Sequence, residues 1–114
     1  NDWVRDILDL PMANPPGTTF VYCTRGPHLL SAILTKATGM SMEAYAQTRL
    51  FSPLGIHSAD RLWGSDPQGI TVGGYELALR PHDMAKLGLL TLAGGSSKRN
   101  RRTARSETPT RVFE

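Results

Sequence analysis

Few groups in this chain are suited to acid–base or nucleophilic chemistry, and three of them are consecutive. Tyr22 offers a phenol, Cys23 the only thiol, and Thr24 a hydroxyl. A free phenol, with a pKa of about 10, is a poor base at neutral pH. A neighbouring ammonium group favours the phenolate and lowers that value, so the phenol can then take a proton from a nucleophilic hydroxyl. Cys23 beside a histidine would be a thiol nucleophile. However, His28, His57 and His82 are scattered without a shared motif, so Cys23 reads as a small buried or half-buried residue. The histidines show no i, i+4 pair and no Cys-x-x-Cys companion, so no metal site is expected. Gly73-Gly74 precedes a strand-like run and not a helix, which removes a phosphate loop, and no cofactor is expected. Trp3, Trp63 and Tyr75 read as packing residues before cleft residues.

The elements that must position Tyr22 lie between Pro15 and Ser41. Pro15-Pro16-Gly17 is the strongest turn signal in the chain. Thr18 to Tyr22 is β-branched and aromatic, a brief extended segment. Pro27 suits the first turn of a helix. Leu29, Leu30, Ile33, Leu34 and Ala37 form an apolar stripe at helical spacing, and Gly39 stands where a glycine ends the helix. The phenol is therefore expected at a helix mouth. Ser41 is placed to cap a further helix over roughly residues 42–51, with Glu43 in its first turn and Met40 and Tyr45 as a hydrophobic staple. Ser52-Pro53 is expected to halt it.

Upstream, Asn1 or Asp2 can cap a short helix carrying Trp3, Val4, Ile7, Leu8 and Leu10 on one face, stopped by Pro11. Downstream, Arg61-Leu62-Trp63 and Ile70-Thr71-Val72 flank the Asp66–Gly69 turn as a small antiparallel hairpin. Tyr75, Leu77 and Leu79 alternate with polar or small residues as a half-buried strand. Pro81 opens a last helix with Met84, Leu87 and Leu90 as its stripe, ended by Gly94-Gly95.

Charge divides the chain. Residues 1–95 hold seven Lys/Arg against eight acids, a net of −1, whereas residues 96–114 hold six against two, a net of +4. The pI therefore reflects the tail, and no acidic partner follows from it. That tail has neither periodicity nor aromatic interleaving, so it reads as a basic, disordered or loosely attached end and not as a nucleic-acid surface. No apolar run approaches the roughly 20 residues of a membrane helix, so no membrane partner is expected. The first ten residues carry Asp2, Asp6 and Asp9 where a secretory signal needs a basic flank and an apolar block.

Four segments in order, PGTTFVYCT, GPHLLSAILTKATGMS, RLFSPLGI and GGYELALRPHDMAKLG, resemble the middle of the penicillin-recognising serine hydrolases. That group comprises the class C β-lactamases, the related D-alanyl-D-alanine carboxypeptidases and the β-lactamase-like esterases. The likeness covers about residues 3–95, and the abrupt change beyond it looks like a frame change or a fused unrelated end. By this resemblance Tyr22-Cys23-Thr24 falls on the family's Tyr-Ser-Asn motif. Tyr22 would be the general base and Thr24 would stand at the asparagine position. A threonine hydroxyl offers one donor where the amide offers two donors and an acceptor. The family's nucleophile lies in Ser-x-x-Lys, before the tyrosine, and a second lysine lies in Lys-Thr-Gly, after the helix matching residues 81–93. Neither occurs here: Lys36, Lys86 and Lys98 are preceded at three places by Ile33, Asp83 and Gly95. Lys36-Ala37-Thr38-Gly39 is better explained as a helix end.

The expected fold is mainly α with a small antiparallel β element, resembling the helical lobe of the serine β-lactamase and penicillin-binding fold. Residues 1–95 form a partial domain of that kind and residues 96–114 a non-family tail. The expected function is a truncated serine hydrolase with a base and no nucleophile, inactive by itself. The alternative is a non-enzymatic helical scaffold derived from the same family. An uncovered apolar face would call for a second copy or a complementing chain. The family resemblance implies a bacterial periplasm or cell envelope.

Overall fold

A computed structural model describes residues 1–96 and is mainly α with one two-stranded antiparallel sheet. The expectations for the tail at 96–114 fall almost wholly outside the described residues. The backbone gathers into two compact units. The first contains Asn1–Glu43 and Trp63–Leu77, and the second, among the described residues, contains Ala44–Leu62 and residues 78–96.

In the first unit, α1 spans Trp3–Leu8. Asp2, in an extended conformation, caps it by accepting the Arg5 N–H at 3.1 Å, which settles the choice between Asn1 and Asp2. The next helix, α2, spans Arg25–Thr38 and ends at Gly39 with φ 71°, donating its N–H to Thr35 O. Only glycine takes that left-handed turn without a steric cost. Pro27 is the third helical residue, still inside the first turn, where its missing N–H leaves no bond unmade.

The segment after Trp63 folds back on itself around Asp66–Gly69. Ser65 bridges Thr71, the Val72 N–H donates to Gly64 O, and the Asp66 N–H donates to Ile70 O, each of these two bonds at 2.9 Å. The expected turn is therefore present, but its arms are residues 64–66 and 70–72. Arg61-Leu62-Trp63 is not the partner of Ile70-Thr71-Val72. Trp63 instead sends its indole N–H to Val72 O at 2.7 Å. The strand expected over Tyr75, Leu77 and Leu79 is present only at its end, Ala78–Leu79, because Glu76 adopts φ 66°. A left-handed residue breaks the two-residue alternation of a strand.

In the second unit, β1 (Arg61–Leu62) pairs with β2 (Ala78–Leu79), Arg61 opposite Leu79. Helix α3, Met42–Ala46, whose first two residues belong to the first unit, runs without interruption into a π-helical turn at Gln47–Phe51 and then into α4, Ser52–Leu54. Ser52-Pro53 thus does not halt the helix. Proline has no N–H for the carbonyl four residues back, and its ring collides with that carbonyl in an α-helix. Widening the turn, so that the Ser52 N–H reaches Gln47 O, accommodates the ring, and Gly55 with φ 64° then ends the helix.

Among the described residues, the buried apolar side chains of this unit are Phe51, Leu54, Ile56 and Leu90, each worth about 1.5–3 kcal/mol of transfer free energy. Arg61 lies over the Phe51 ring at 4.8 Å and donates to Gln47 Oε1 at 2.8 Å, so this buried guanidinium keeps both a stacking surface and an acceptor. Helix α5 spans Pro81–Leu92. Leu90 is buried, whereas Met84 is 60% exposed, so the expected stripe does not hold at its first member.

Asp83 is buried in the first turn of α5 and accepts from Lys86 Nζ at 2.5 Å, while the same ammonium reaches Gly55 O at 3.3 Å. The Lys86 hydrogen bond holds the Asp83 carboxyl below the usual aspartate range, and the charges of Lys86, His82 and Arg80 act the same way against the opposing effect of burial. A carboxyl depressed in the folded state contributes stability above its ordinary pKa and loses it as pH falls through the depressed value. Asp83→Asn should therefore be less stable than the parent at neutral pH, with the gap closing in acid. Urea midpoints followed from neutral pH downward check this, and parallel curves would count against it.

Candidate functional site

Tyr22, Cys23 and Thr24 form the approach to α2, and Thr24 is its N-cap residue, without a side-chain capping bond. All three are exposed, Tyr22 by 79%, and the Tyr22 hydroxyl has no hydrogen-bond partner among the described residues. Among the described residues the phenol is therefore largely uncovered at the mouth of α2. The reading of Cys23 as buried or half-buried is wrong, since its thiol is exposed. The backbone N–H groups of Arg25 and then Gly26, at the start of α2, hold that thiol below its ordinary pKa; the Arg25 charge adds to the effect and slight burial opposes it. Helix N-termini favour thiolate for this reason. Alkylation of Cys23 by iodoacetamide should accordingly reach half its limiting rate at a lower pH than glutathione does, and a midpoint at or above that of glutathione would refute this.

The cation that a basic phenol needs is not supplied by the nearest lysine in sequence. Lys36 stands in the last turn of α2, roughly 16 Å from the first turn at 1.5 Å per residue. In the second unit, Lys86 is bound to Asp83 and the Gly55 carbonyl.

Beside the motif lies a cleft of about 540 Å³ between α1 and the start of α2, lined among others by Trp3, Asp6, Ile7, Thr24, Arg25 and Tyr75. It takes in Thr24, whereas Tyr22 is not among the lining residues. Trp3 and Tyr75 thus line a cleft, while Trp63 is tied to Val72.

Sequence reasoning missed the residues beneath this surface. His28 and Asp66 are both buried, and His28 Nε2 lies 3.0 Å from Asp66 Oδ2. The other oxygen, Asp66 Oδ1, accepts the N–H groups of Gln68 at 2.9 Å and Ile70 at 2.8 Å. His28 Nδ1 accepts a long hydrogen bond from the Gly73 N–H at 3.4 Å. That pattern assigns the neutral tautomer with its proton on Nε2. Trp3 covers the imidazole, ring centroids 5.6 Å apart.

Ser31 is fully buried one turn further along α2, which invites reading Ser31, His28 and Asp66 as a nucleophilic triad. Hydrogen bonding excludes it: Ser31 Oγ donates to Thr71 O at 2.6 Å, and the imidazole nitrogen left for a serine is already taken by Gly73. The only sequence signal for the pair was a histidine on an otherwise apolar helix face. Its partner stands 38 residues away.

A mainly α chain with Tyr22-Cys23-Thr24 at a helix mouth has the features of the helical part of a penicillin-recognising serine hydrolase. The Beta-lactamase family matches residues 1–113, and the chain belongs to that family. Among curated proteins it is similar to Penicillin-binding protein 4 of Amycolatopsis lactamdurans, 40% identical over 57 residues. The match takes in 50% of this chain and 15% of that protein, so the likeness spans a small part of the relative's length.

Proposed function

We propose that this chain is the tyrosine-bearing wall of a β-lactamase-like serine hydrolase site, with Tyr22 as the base. The serine nucleophile and the lysines that make the phenol basic come from polypeptide outside these 114 residues. The observation that carries the reading is the exposed Tyr22, two residues before the N-cap Thr24 of α2, its hydroxyl without a hydrogen-bond partner among the described residues. In acyl transfer the phenolate would take the serine proton as the hydroxyl attacks the carbonyl, and return it to the leaving group. Thr24, with one hydroxyl donor, would orient the substrate less firmly than an amide does. Hydrolysis of β-lactams or short acyl esters is the activity class, and by itself the chain turns over neither, because a base without a nucleophile does no acyl transfer.

The test is to assay the pure chain on a chromogenic cephalosporin and a p-nitrophenyl ester. It is then refolded with a second polypeptide carrying Ser-x-x-Lys and Lys-Thr-Gly from the same family. Turnover is expected only in the mixture, and Tyr22→Phe should reduce it by about 100-fold or more. The same substitution should change stability by less than about 0.5 kcal/mol, since the side chain is exposed. Turnover that survives Tyr22→Phe would sink the proposal.

The second reading is a helical scaffold without chemistry. It is favoured by Leu30 and Ile33, each more than 60% exposed on α2 and three residues apart on one helix face. In this reading a second copy covers that face. Sedimentation at high concentration would then give a dimer mass that Leu30→Lys removes, and a clean monomer would refute it.

A further inference from the structure

We propose that His28 is a positioning residue for the Tyr22–Thr24 motif, holding the Gly73-Gly74 backbone against the first turn of α2 so that the motif keeps one geometry. The inference rests on the reading of Tyr22 given above, but is tested apart from it. The imidazole links two places in the first unit. Through Nε2 it is anchored on Asp66, whose other oxygen closes the turn at Gln68 and Ile70. Through Nδ1 it accepts the Gly73 N–H. The segment so held lies flat against the helix start. A Cβ on Gly73 would collide with Pro27 O and sit 2.9 Å from His28 Cα, and a Cβ on Gly74 would collide with Thr24 O. Thr24 and Pro27 bracket the residues whose N–H groups reach Cys23, so the backbone that carries the motif is backed by Gly73-Gly74. The side chains of Tyr22 and Thr24 make no hydrogen bond to His28 or Asp66, and Thr24 meets this backing through both its carbonyl and its methyl, which lie close to Gly74.

Cys23, at the centre of the motif, supplies a readout independent of catalysis, because its thiolate is stabilised by the Arg25 and Gly26 N–H groups. Two substitutions divide the roles of the ring. His28→Asn keeps an acceptor near the Nδ1 position for Gly73 and loses the reach to Asp66. His28→Gln keeps a donor toward Asp66 and loses the acceptor for Gly73. Both should lower the unfolding midpoint. Only His28→Gln should slow iodoacetamide labelling of Cys23 at neutral pH, by roughly threefold, with His28→Asn within about 1.5-fold of the parent. A purely structural histidine predicts rates that follow the stability loss in both variants. That pattern, or any other departure from the expected one, overturns the proposal. Should the variants not fold, the imidazole ¹⁵N shifts of the parent chain decide it: an unprotonated Nδ1 and a protonated Nε2 support it, and the reverse tautomer overturns it. Failure of the Tyr22 reading would appear instead as turnover insensitive to Tyr22→Phe, with these thiol rates unchanged.

Discussion

Alanine at Gly73 should destabilise the first unit by about 3 kcal/mol or more, the upper end of what overpacking costs. The new methyl would meet Pro27 O, Pro27 C and His28 Cα, all backbone atoms of α2, and backbone cannot swing aside as a side-chain tip can. Relief would require the 72–74 segment to lift from the helix, which would break the Gly73 N–H bond to His28. Gly74→Ala should behave similarly through Thr24 O. Gly88, inside α5 with nothing within 4 Å of its added Cβ, is the control, and alanine there should be neutral or stabilising by up to about 1 kcal/mol. Both tryptophans, Trp3 and Trp63, lie in the first unit, so urea unfolding followed by indole fluorescence reports the part affected. A Gly73→Ala midpoint equal to that of the parent would show that the contact is not as close as described.

Removing the Asp66 carboxylate should cost about 3–5 kcal/mol, the range seen when one member of a buried charged or hydrogen-bonded set is lost. Its side chain is fully buried, and Asp66→Ala would leave three donors without an acceptor: His28 Nε2–H and the N–H groups of Gln68 and Ile70. Asp66→Asn keeps an oxygen for one or two of those donors but turns its NH₂ toward a third, so its loss should be intermediate. Denaturant titration of the three proteins would rank them parent, Asn, Ala. A loss in Asp66→Ala under about 1 kcal/mol would mean that the turn is held by other contacts.

The Asp66 network also separates what was legible in the chain from what was not. Asp66-Pro67-Gln68-Gly69 read as a turn from composition and is one. That its carboxylate closes on a histidine of α2 could not be read, because a histidine on a helix face and an aspartate in a turn are each ordinary. Gly73-Gly74 was read as a negative, not a phosphate loop, although its lack of side chains is what admits the backbone to α2. The motif itself was legible as residue types in a familiar order. Its exposure was not, and Cys23, read as buried or half-buried, proved to be exposed.

Sequence alone determined the helices and most of their ends. Asp2, Gly39, Pro81 and Gly94 act within one turn of where they stand, through capping bonds, fixed φ or a positive φ, and such signals need no distant partner. It also determined the family through the order of four segments. Tertiary structure decided the rest. Arg61-Leu62 pairs with Ala78-Leu79 and not with the nearer Ile70–Val72, and the helix from Met42 passes Pro53 by widening one turn. His28 finds Asp66 across 38 residues. In each case the deciding energy comes from groups brought together only by folding, and a local pattern carries no record of them.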